Sequence, residues 1–114
     1  MKVIFNNIIP VKGFAAINLF GVLFVRNGFA VTDRMLNHER IHTAQMREML
    51  YVFFYIWYVI EWVFRVLGTL RSFARIRGDV AYHNISFERE AFKREMNVNY
   101  LKKRKLFAWL KYLK

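Results

Sequence analysis

The sequence of 114 residues contains no cysteine and a single proline, Pro10. Without cysteine, neither a disulfide framework nor a thiolate metal site is possible. Acidic residues are also few, 8 against 19 basic residues, which gives a formal net charge of +11. A chain of this length is predicted to form one domain, residues 1–114, with a core too modest for two lobes around a deep cleft.

Apolar residues are abundant, at 56% of the chain, and aromatic residues alone make up 18%. A nucleic-acid-binding protein would explain the charge but not this amount of apolar material, so a nucleic-acid partner is not expected. A basic protein with a large apolar surface is typical of binding to an anionic membrane surface. A soluble protein with an apolar core and a basic surface is the alternative. No secretory signal is recognisable, since Pro10 interrupts the first apolar segment, so the expected location is the cytoplasm or the cytoplasmic face of a membrane.

The most informative stretch is residues 37–45, which read NHERIHTAQ and contain the pattern H-E-x-x-H. On an α-helix, residues four apart lie on one face, so the imidazoles of His38 and His42 can reach a single metal ion. Glu39 follows the first histidine, where its carboxylate can act as a general base on water. Two histidines do not complete a zinc site, so the motif requires a third ligand elsewhere.

Two downstream glutamates, Glu88 and Glu90, differ in their helical neighbours. Glu90 is followed three and four positions later by basic residues, which predicts a solvated, salt-bridged carboxylate. Glu88 is followed at the same positions by Ala91 and Phe92, which predicts a core-facing carboxylate that needs a cation such as zinc. Glu95 lies two turns along the Glu88 face and is a candidate to hydrogen-bond a ligand histidine. The predicted metal ligands are His38, His42 and Glu88.

Together these blocks resemble the gluzincin zinc peptidases, and in particular the membrane-embedded group that includes prenyl-protein-processing and heat-shock proteases. The second motif of that group reads E-x-x-A-D. Glu88 stands at its ligand position and Ala91 at its alanine, whereas Phe92 replaces an aspartate that usually buttresses the active site. The chain also resembles small bacterial proteins with the same N-H-E-x-I-H-T-A-Q and F-E-R-E-A blocks.

This resemblance implies a membrane-associated metallopeptidase on the cytoplasmic face of the bacterial inner membrane. It implies that Zn²⁺ is held by His38, His42 and Glu88, that Glu39 is the catalytic base, and that the substrate is a peptide or protein. It also implies that the substrate lies along a sheet edge as an added strand. The rival hypothesis is a non-enzymatic basic membrane protein with a structural or vestigial metal site. The sequence leaves open whether an oligomer or a partner chain completes the cleft.

The predicted fold class is α+β, mostly helical, as a minimal zincin-like fold. Residues 2–9 predict a strand or an extended arm, and Asn27-Gly28 predicts a β-hairpin over 19–32. Thr32 or Asp33 is expected to cap the motif helix. Because no glycine or proline follows before Gly68, that helix is predicted to continue into an aromatic apolar helix of residues 49–70 embedded in a membrane.

Beyond this helix, residues 65–77 predict a basic connector and residues 87–101 predict the helix of the second motif. Residues 106–114 predict a basic amphipathic tail helix, with Leu106, Leu110 and Leu113 on one face.

Overall fold

A computed structural model describes residues 1–73 and 78–113, with side chains described outside residues 69–80. The fold is α+β and mostly helical, as expected. In chain order the elements are β1 (Lys2–Asn6), β2 (Ala16–Leu19), β3 (Val22–Arg26), α1 (Asp33–Glu48), α2 (Val52–Phe73), α3 (Gly78–Asn84), α4 (Ser86–Arg94), α5 (Tyr100–Lys103) and a 3₁₀ helix (Ala108–Tyr112).

The strands form one small sheet in the order β1-β3-β2. The central strand β3 pairs in parallel with β1 and antiparallel with β2. Leu23 and Val25 of β3 are fully buried, whereas β2 lies at an edge. A side chain of β2, that of Asn18, donates to Glu39 O at 3.0 Å and to Thr43 Oγ1 at 3.2 Å. These bonds fix the edge strand against the motif helix.

The predicted hairpin is misplaced, because the strands turn at Phe20-Gly21 and not at Asn27-Gly28. Phe20 and Gly21 have φ values of 53° and 91°, the positive angles that a two-residue type I′ turn requires. The ring of Phe20 lies 5.3 Å from that of Tyr55, a tertiary contact that favours this turn. At Gly21 an added Cβ would lie 3.3 Å from Thr43 Cγ2, so the turn sits directly against α1.

The motif helix begins as predicted, since Thr32 Oγ1 accepts from Met35 N at 3.1 Å. The predicted aromatic helix is present as α2, but its predicted continuity with the motif helix is wrong. The axes of α1 and the Val52–Gly68 part of α2 differ by 110°, and Leu50 and Tyr51 between them have positive φ. The bend folds the aromatic face of α2 back toward the core, where the ring of Phe54 lies 4.5 Å from that of Phe87 of α4 and in one cluster with Met46 of α1. A straight helix would leave that face without a core to pack against.

The C-terminal half also differs from expectation. The second-motif helix ends at Arg94 instead of residue 101, and a turn separates it from α5. The tail is a short 3₁₀ helix whose buried residues are Trp109 and Tyr112, while Leu106 is 78% exposed. Trp109 belongs to the core and the partly buried Leu113 packs against it, whereas Leu106 and Leu110 are exposed, so the tail leucines do not form one buried face.

The predicted basic connector belongs in part to α2, which extends to Phe73. Residues 74–77 of that connector lie outside the described residues. In the described part of the chain, no single helix has the length and apolar composition to cross a membrane. The bent pair of α1 and Val52–Gly68 meets those two criteria when taken together.

Candidate metal centre

Two imidazoles and one carboxylate converge in a buried cluster at the centre of the fold. His38 Nε2 and His42 Nε2 lie 3.2 Å apart, and Glu88 Oε1 lies 3.1 Å from the first and 3.0 Å from the second. Ligand atoms of a tetrahedral zinc site with bonds of about 2.0–2.1 Å lie about 3.3–3.4 Å apart. The three side chains fit a metal ion with minor adjustment, and this buried group could bind one.

Two helices bring these ligands together. His38 and His42 project from one face of α1, and Glu88 lies in the first turn of α4. The start of α4 is fixed by the buried Glu61 of α2, which accepts from the backbone N of Ser86 and, at 2.6 Å, from its hydroxyl. The predicted ligands are therefore assembled by packing of α1, α2 and α4.

The second nitrogen of each imidazole is also engaged. His38 Nδ1 lies 2.7 Å from Glu95 Oε2, and the other oxygen of Glu95 accepts from Arg34 Nε at 2.6 Å. His42 Nδ1 lies 2.7 Å from Gln45 Oε1. Partners at Nδ1 orient a ligand histidine and leave Nε2 for the metal. The sequence indicated the contact of Glu95, whereas that of Gln45 was not foreseen.

The cluster is held by strong electrostatic coupling. Burial by itself lowers the pKa of His42, but the charge and hydrogen bond of Glu88, assisted by Glu39 and Gln45, raise it to about 9. Burial favours the neutral form of Glu88, but the charge of His42 and hydrogen bonds from His38, His42 and Tyr58 lower its pKa. Without a metal, the proton on His42 is the counter-charge of Glu88.

Glu39, the predicted base, lies beside the cluster at the junction of two clefts. It lines an apolar cleft of about 1040 Å³, which also reaches His42 and Glu88, and a second cleft of about 500 Å³ beside His38. Within the part of the chain that the structure describes, no side chain donates a hydrogen bond to its carboxylate. Glu39 is therefore available to a molecule in either cleft.

Two tyrosines stand next to the cluster. Tyr58 OH donates to Glu88 Oε2 at 2.7 Å, and Tyr82 lines both clefts. Burial, followed by the charge of Glu88, raises the pKa of both phenols, so both remain hydrogen-bond donors. The role of Tyr58 was missed because its run of aromatic residues was interpreted as a membrane segment. A helical period that places residue 58 one turn after Phe54 was the available signal.

The prediction for Glu90 is right about a salt bridge but wrong about solvation, because its side chain is completely buried. It accepts from Arg104 Nε at 2.5 Å, from Tyr100 OH at 2.6 Å and from Gln45 Nε2 at 2.9 Å. The cation that pairs with Glu90 is Arg104, which follows α5, and not a basic residue on the next turn of α4. Neighbours within one helix could not reveal that partner.

Phe92, where the resemblance leads one to expect an aspartate, packs on the first ligand. Its ring lies 4.6 Å from that of His38 and 4.9 Å from that of His83. His83 itself is exposed and outside the ligand group. The carboxylate that holds His38 is that of Glu95, three residues after Phe92.

The case for a metal centre thus consists of the geometry of these side chains. Comparison with known proteins adds nothing to it, since no family model, no curated protein and no solved structure matches the chain.

Proposed function

We propose that this protein is a zinc-dependent metallopeptidase in which His38, His42 and Glu88 hold the metal and Glu39 is the general base. One observation carries the proposal. A complete three-ligand group lies at the floor of an open cleft, directly beside a carboxylate that makes no hydrogen bond to the described protein. A structural metal site has no need of such a carboxylate.

Zinc is the metal that this ligand set suits best. Two imidazole nitrogens and one carboxylate oxygen are typical of catalytic zinc sites that keep a fourth position open. When bound there, zinc polarises water and the scissile carbonyl group. Neither cysteine nor a cluster of several carboxylates is available at this site to favour a softer or a harder ion.

The chemistry of the chain's own residues is general acid–base catalysis. Glu39 takes a proton from the attacking water onto its carboxylate and returns it to the leaving amine when the peptide bond breaks. Tyr58 donates to Glu88 and holds that carboxylate in place. Tyr82, which remains protonated and lines both clefts, is positioned to donate to a substrate oxygen.

The larger cleft favours an extended peptide with apolar side chains. Apolar side chains dominate its walls and include Ile8, Ile9, Val11, Phe14, Ile17 and Trp62. Strand β2 borders this cleft, and no strand among the described residues pairs with its outer edge. A substrate strand could therefore pair with β2 while its side chains contact the apolar walls.

Membrane association is the second part of the proposal. One face of α2 exposes a row of large apolar side chains that includes Val52, Ile56, Val59, Ile60, Val63 and Phe64. Such a row, with a net charge of +11, supports binding to an anionic membrane on the cytoplasmic side. The test is sedimentation with vesicles of anionic and of neutral lipid.

In that test, replacing Lys102, Lys103 and Lys105 with Gln should weaken binding to anionic vesicles by about 1 kcal/mol per charge at low salt. Arg104 is left unchanged because it is buried in ion pairs. Equal binding of the wild type and the triple variant, or no binding to either vesicle, would contradict membrane association by this route.

The peptidase is tested with Glu39→Gln. The variant should retain stoichiometric zinc and its unfolding temperature, because Glu39 is not a ligand, and lose all hydrolysis, because an amide cannot take the proton of water. Apolar peptides and unfolded membrane proteins are the substrates to assay, with Glu88→Gln as the matched variant in which zinc binding is weakened. Equal turnover by wild type and Glu39→Gln would exclude this mechanism. A wild type that binds zinc and cleaves nothing would favour the non-enzymatic metal site.

A further inference from the structure

Gln45 is fully buried between the metal centre and the C-terminal segment. Its Nε2 donates to Phe87 O at 3.0 Å and to Glu90 Oε1 at 2.9 Å. A backbone carbonyl and an ionised carboxylate offer only acceptors, so the amide cannot be turned over without placing its oxygen against two oxygens. Its Oε1 is therefore fixed toward His42 Nδ1, 2.7 Å away, and must accept the proton on that nitrogen.

Glu90 in turn is fixed from the far side. Both of its oxygens accept from Arg104, at 2.5 Å from Nε and 2.9 Å from one terminal nitrogen. The same guanidinium makes two further bonds to Glu48, at 2.8 and 3.1 Å. An arginine in a protein does not lose its proton, so Glu90 keeps a permanent cationic partner and stays an acceptor.

We propose that Gln45, Glu90 and Arg104 form a positioning network that keeps the ring proton of His42 on Nδ1 and directs Nε2 toward His38 and Glu88. None of the three residues touches the metal position or the clefts, so their role is to orient a ligand. The proposal rests on the metal-binding part of the proposed function and is independent of peptide hydrolysis. Through Arg104, the segment that follows α5 would therefore help to orient a metal ligand without touching the metal.

The first readout is the tautomer of His42 in zinc-free protein, from ring ¹⁵N shifts recorded at a pH high enough for the ring to carry a single proton. The wild type should show the Nδ1–H form alone. In Glu90→Gln the new amide can donate as well as accept, so Gln45 can turn and both tautomers should appear. The ring of His38, which Glu95 orients, should be unchanged and serves as an internal control.

The second readout is zinc affinity, measured by competition with a chromophoric chelator. Glu90→Gln and Gln45→Met should each weaken binding by about 10- to 100-fold, the usual effect of losing a group that orients a ligand. The double variant should be little weaker than either single one, because both changes break the same contact. If Gln45→Met does not fold, the isosteric Glu90→Gln carries the test.

Tyr100→Phe is the matched control, since it removes a hydrogen bond to Glu90 but leaves Gln45 and Arg104 in place. It should lower the unfolding temperature while the tautomer and the zinc affinity stay those of the wild type. A purely structural role would make zinc affinity follow stability in all variants, which would overturn the proposal. So would a single Nδ1–H tautomer in Glu90→Gln, or a mixture in the wild type. A failed peptidase assay changes none of these readouts, and a failed network leaves the Glu39→Gln test intact.

Discussion

Glu88 and Glu90 lie two residues apart on α4 and are both buried, yet their surroundings are opposite. Glu88 faces two imidazoles, which can exchange a ring proton for a metal ion, and a phenol that donates a hydrogen bond to it. Glu90 faces the permanent charge of Arg104. A buried carboxylate is therefore not a metal ligand by virtue of burial alone. What distinguishes a ligand is a counter-charge that a metal can replace.

The largest effect should come from removing each carboxylate in turn. Glu90→Ala should lower the free energy of unfolding of zinc-free protein by about 3 kcal/mol, because Arg104 stays buried with Glu48 as its only remaining carboxylate among the described residues. Glu88→Ala should cost less, because His42 can lose its proton once its partner is gone. It should instead abolish tight zinc binding. Urea denaturation in the presence of a chelator measures the loss of stability, and metal analysis after dialysis measures the loss of zinc. If Glu90→Ala lost zinc and Glu88→Ala caused the larger loss of stability, the assignment of the two glutamates would be reversed.

Of the two glutamate sites, only that of Glu88 should change its binding properties with pH above neutrality. The pKa of His42 is about 9 in zinc-free protein, so below that pH zinc must displace a proton. Apparent zinc affinity should rise about tenfold per pH unit from about pH 7 to 9 and then level off. Glu88→Gln removes the charge that raises this pKa, so its weaker binding should show a flatter profile. A flat wild-type profile would contradict the coupling between His42 and Glu88.

The stability of the zinc-free protein should fall with rising pH over the range in which zinc affinity rises. A histidine whose pKa is raised on folding, from 6.5 to about 9, contributes stability that is complete below 6.5 and is lost as pH rises through 9. The lowered pKa of Glu88 contributes stability above 4.5, which is lost as pH falls further. Stabilisation by added zinc should therefore grow between about pH 7 and 9, as thermal unfolding with and without zinc would measure.

The carboxylate that holds His38 gives the next smaller effect. Glu95→Ala should weaken zinc binding by about 10- to 100-fold, because the ring of His38 loses its partner at Nδ1. Phe92→Asp should not strengthen zinc binding, since Glu95 already occupies that nitrogen, and loses a ring contact worth about 1 kcal/mol. Chelator competition on both variants is the measurement. Tighter binding by Phe92→Asp would mean that Phe92, and not Glu95, takes the place of the aspartate.

What the sequence could predict was local. His38 and His42 are one helical turn apart, so their common face follows from helix geometry, and the apolar neighbours of Glu88 mark it as inward-facing. The partner of Glu90 was out of reach, because Arg104 approaches only after the chain turns beyond Arg94. The helix break at Leu50 and Tyr51 was out of reach for the same reason, since no glycine or proline marks it in the sequence. Packing of Phe54 on Phe87 sets that bend, and tertiary contacts override local propensity.

The misplaced hairpin has a related cause. Asn27-Gly28 is the stronger local turn signal, but it only ends β3, while Phe20-Gly21 makes the hairpin through contacts with α1 and α2. The zincin-like arrangement itself stays a prediction, since a small sheet and a His-His-Glu group are compatible with it without specifying it.

The smallest effects should come from removing the tyrosine hydroxyl that donates to each glutamate, and they should differ between Glu88 and Glu90. Tyr58 donates to Glu88 at 2.7 Å and Tyr100 donates to Glu90 at 2.6 Å, so Tyr→Phe removes one similar hydrogen bond at each site. Tyr100→Phe should cost about 1 kcal/mol of stability with zinc affinity unchanged, because Arg104 and Gln45 still satisfy Glu90. Tyr58→Phe should cost a similar amount in zinc-free protein and weaken zinc binding several-fold, because Glu88 loses the group that holds its second oxygen. Parallel denaturation and chelator titrations give both numbers for each variant. Equal zinc affinities for Tyr58→Phe and Tyr100→Phe would show that the phenol of Tyr58 packs beside the metal centre without helping to position it.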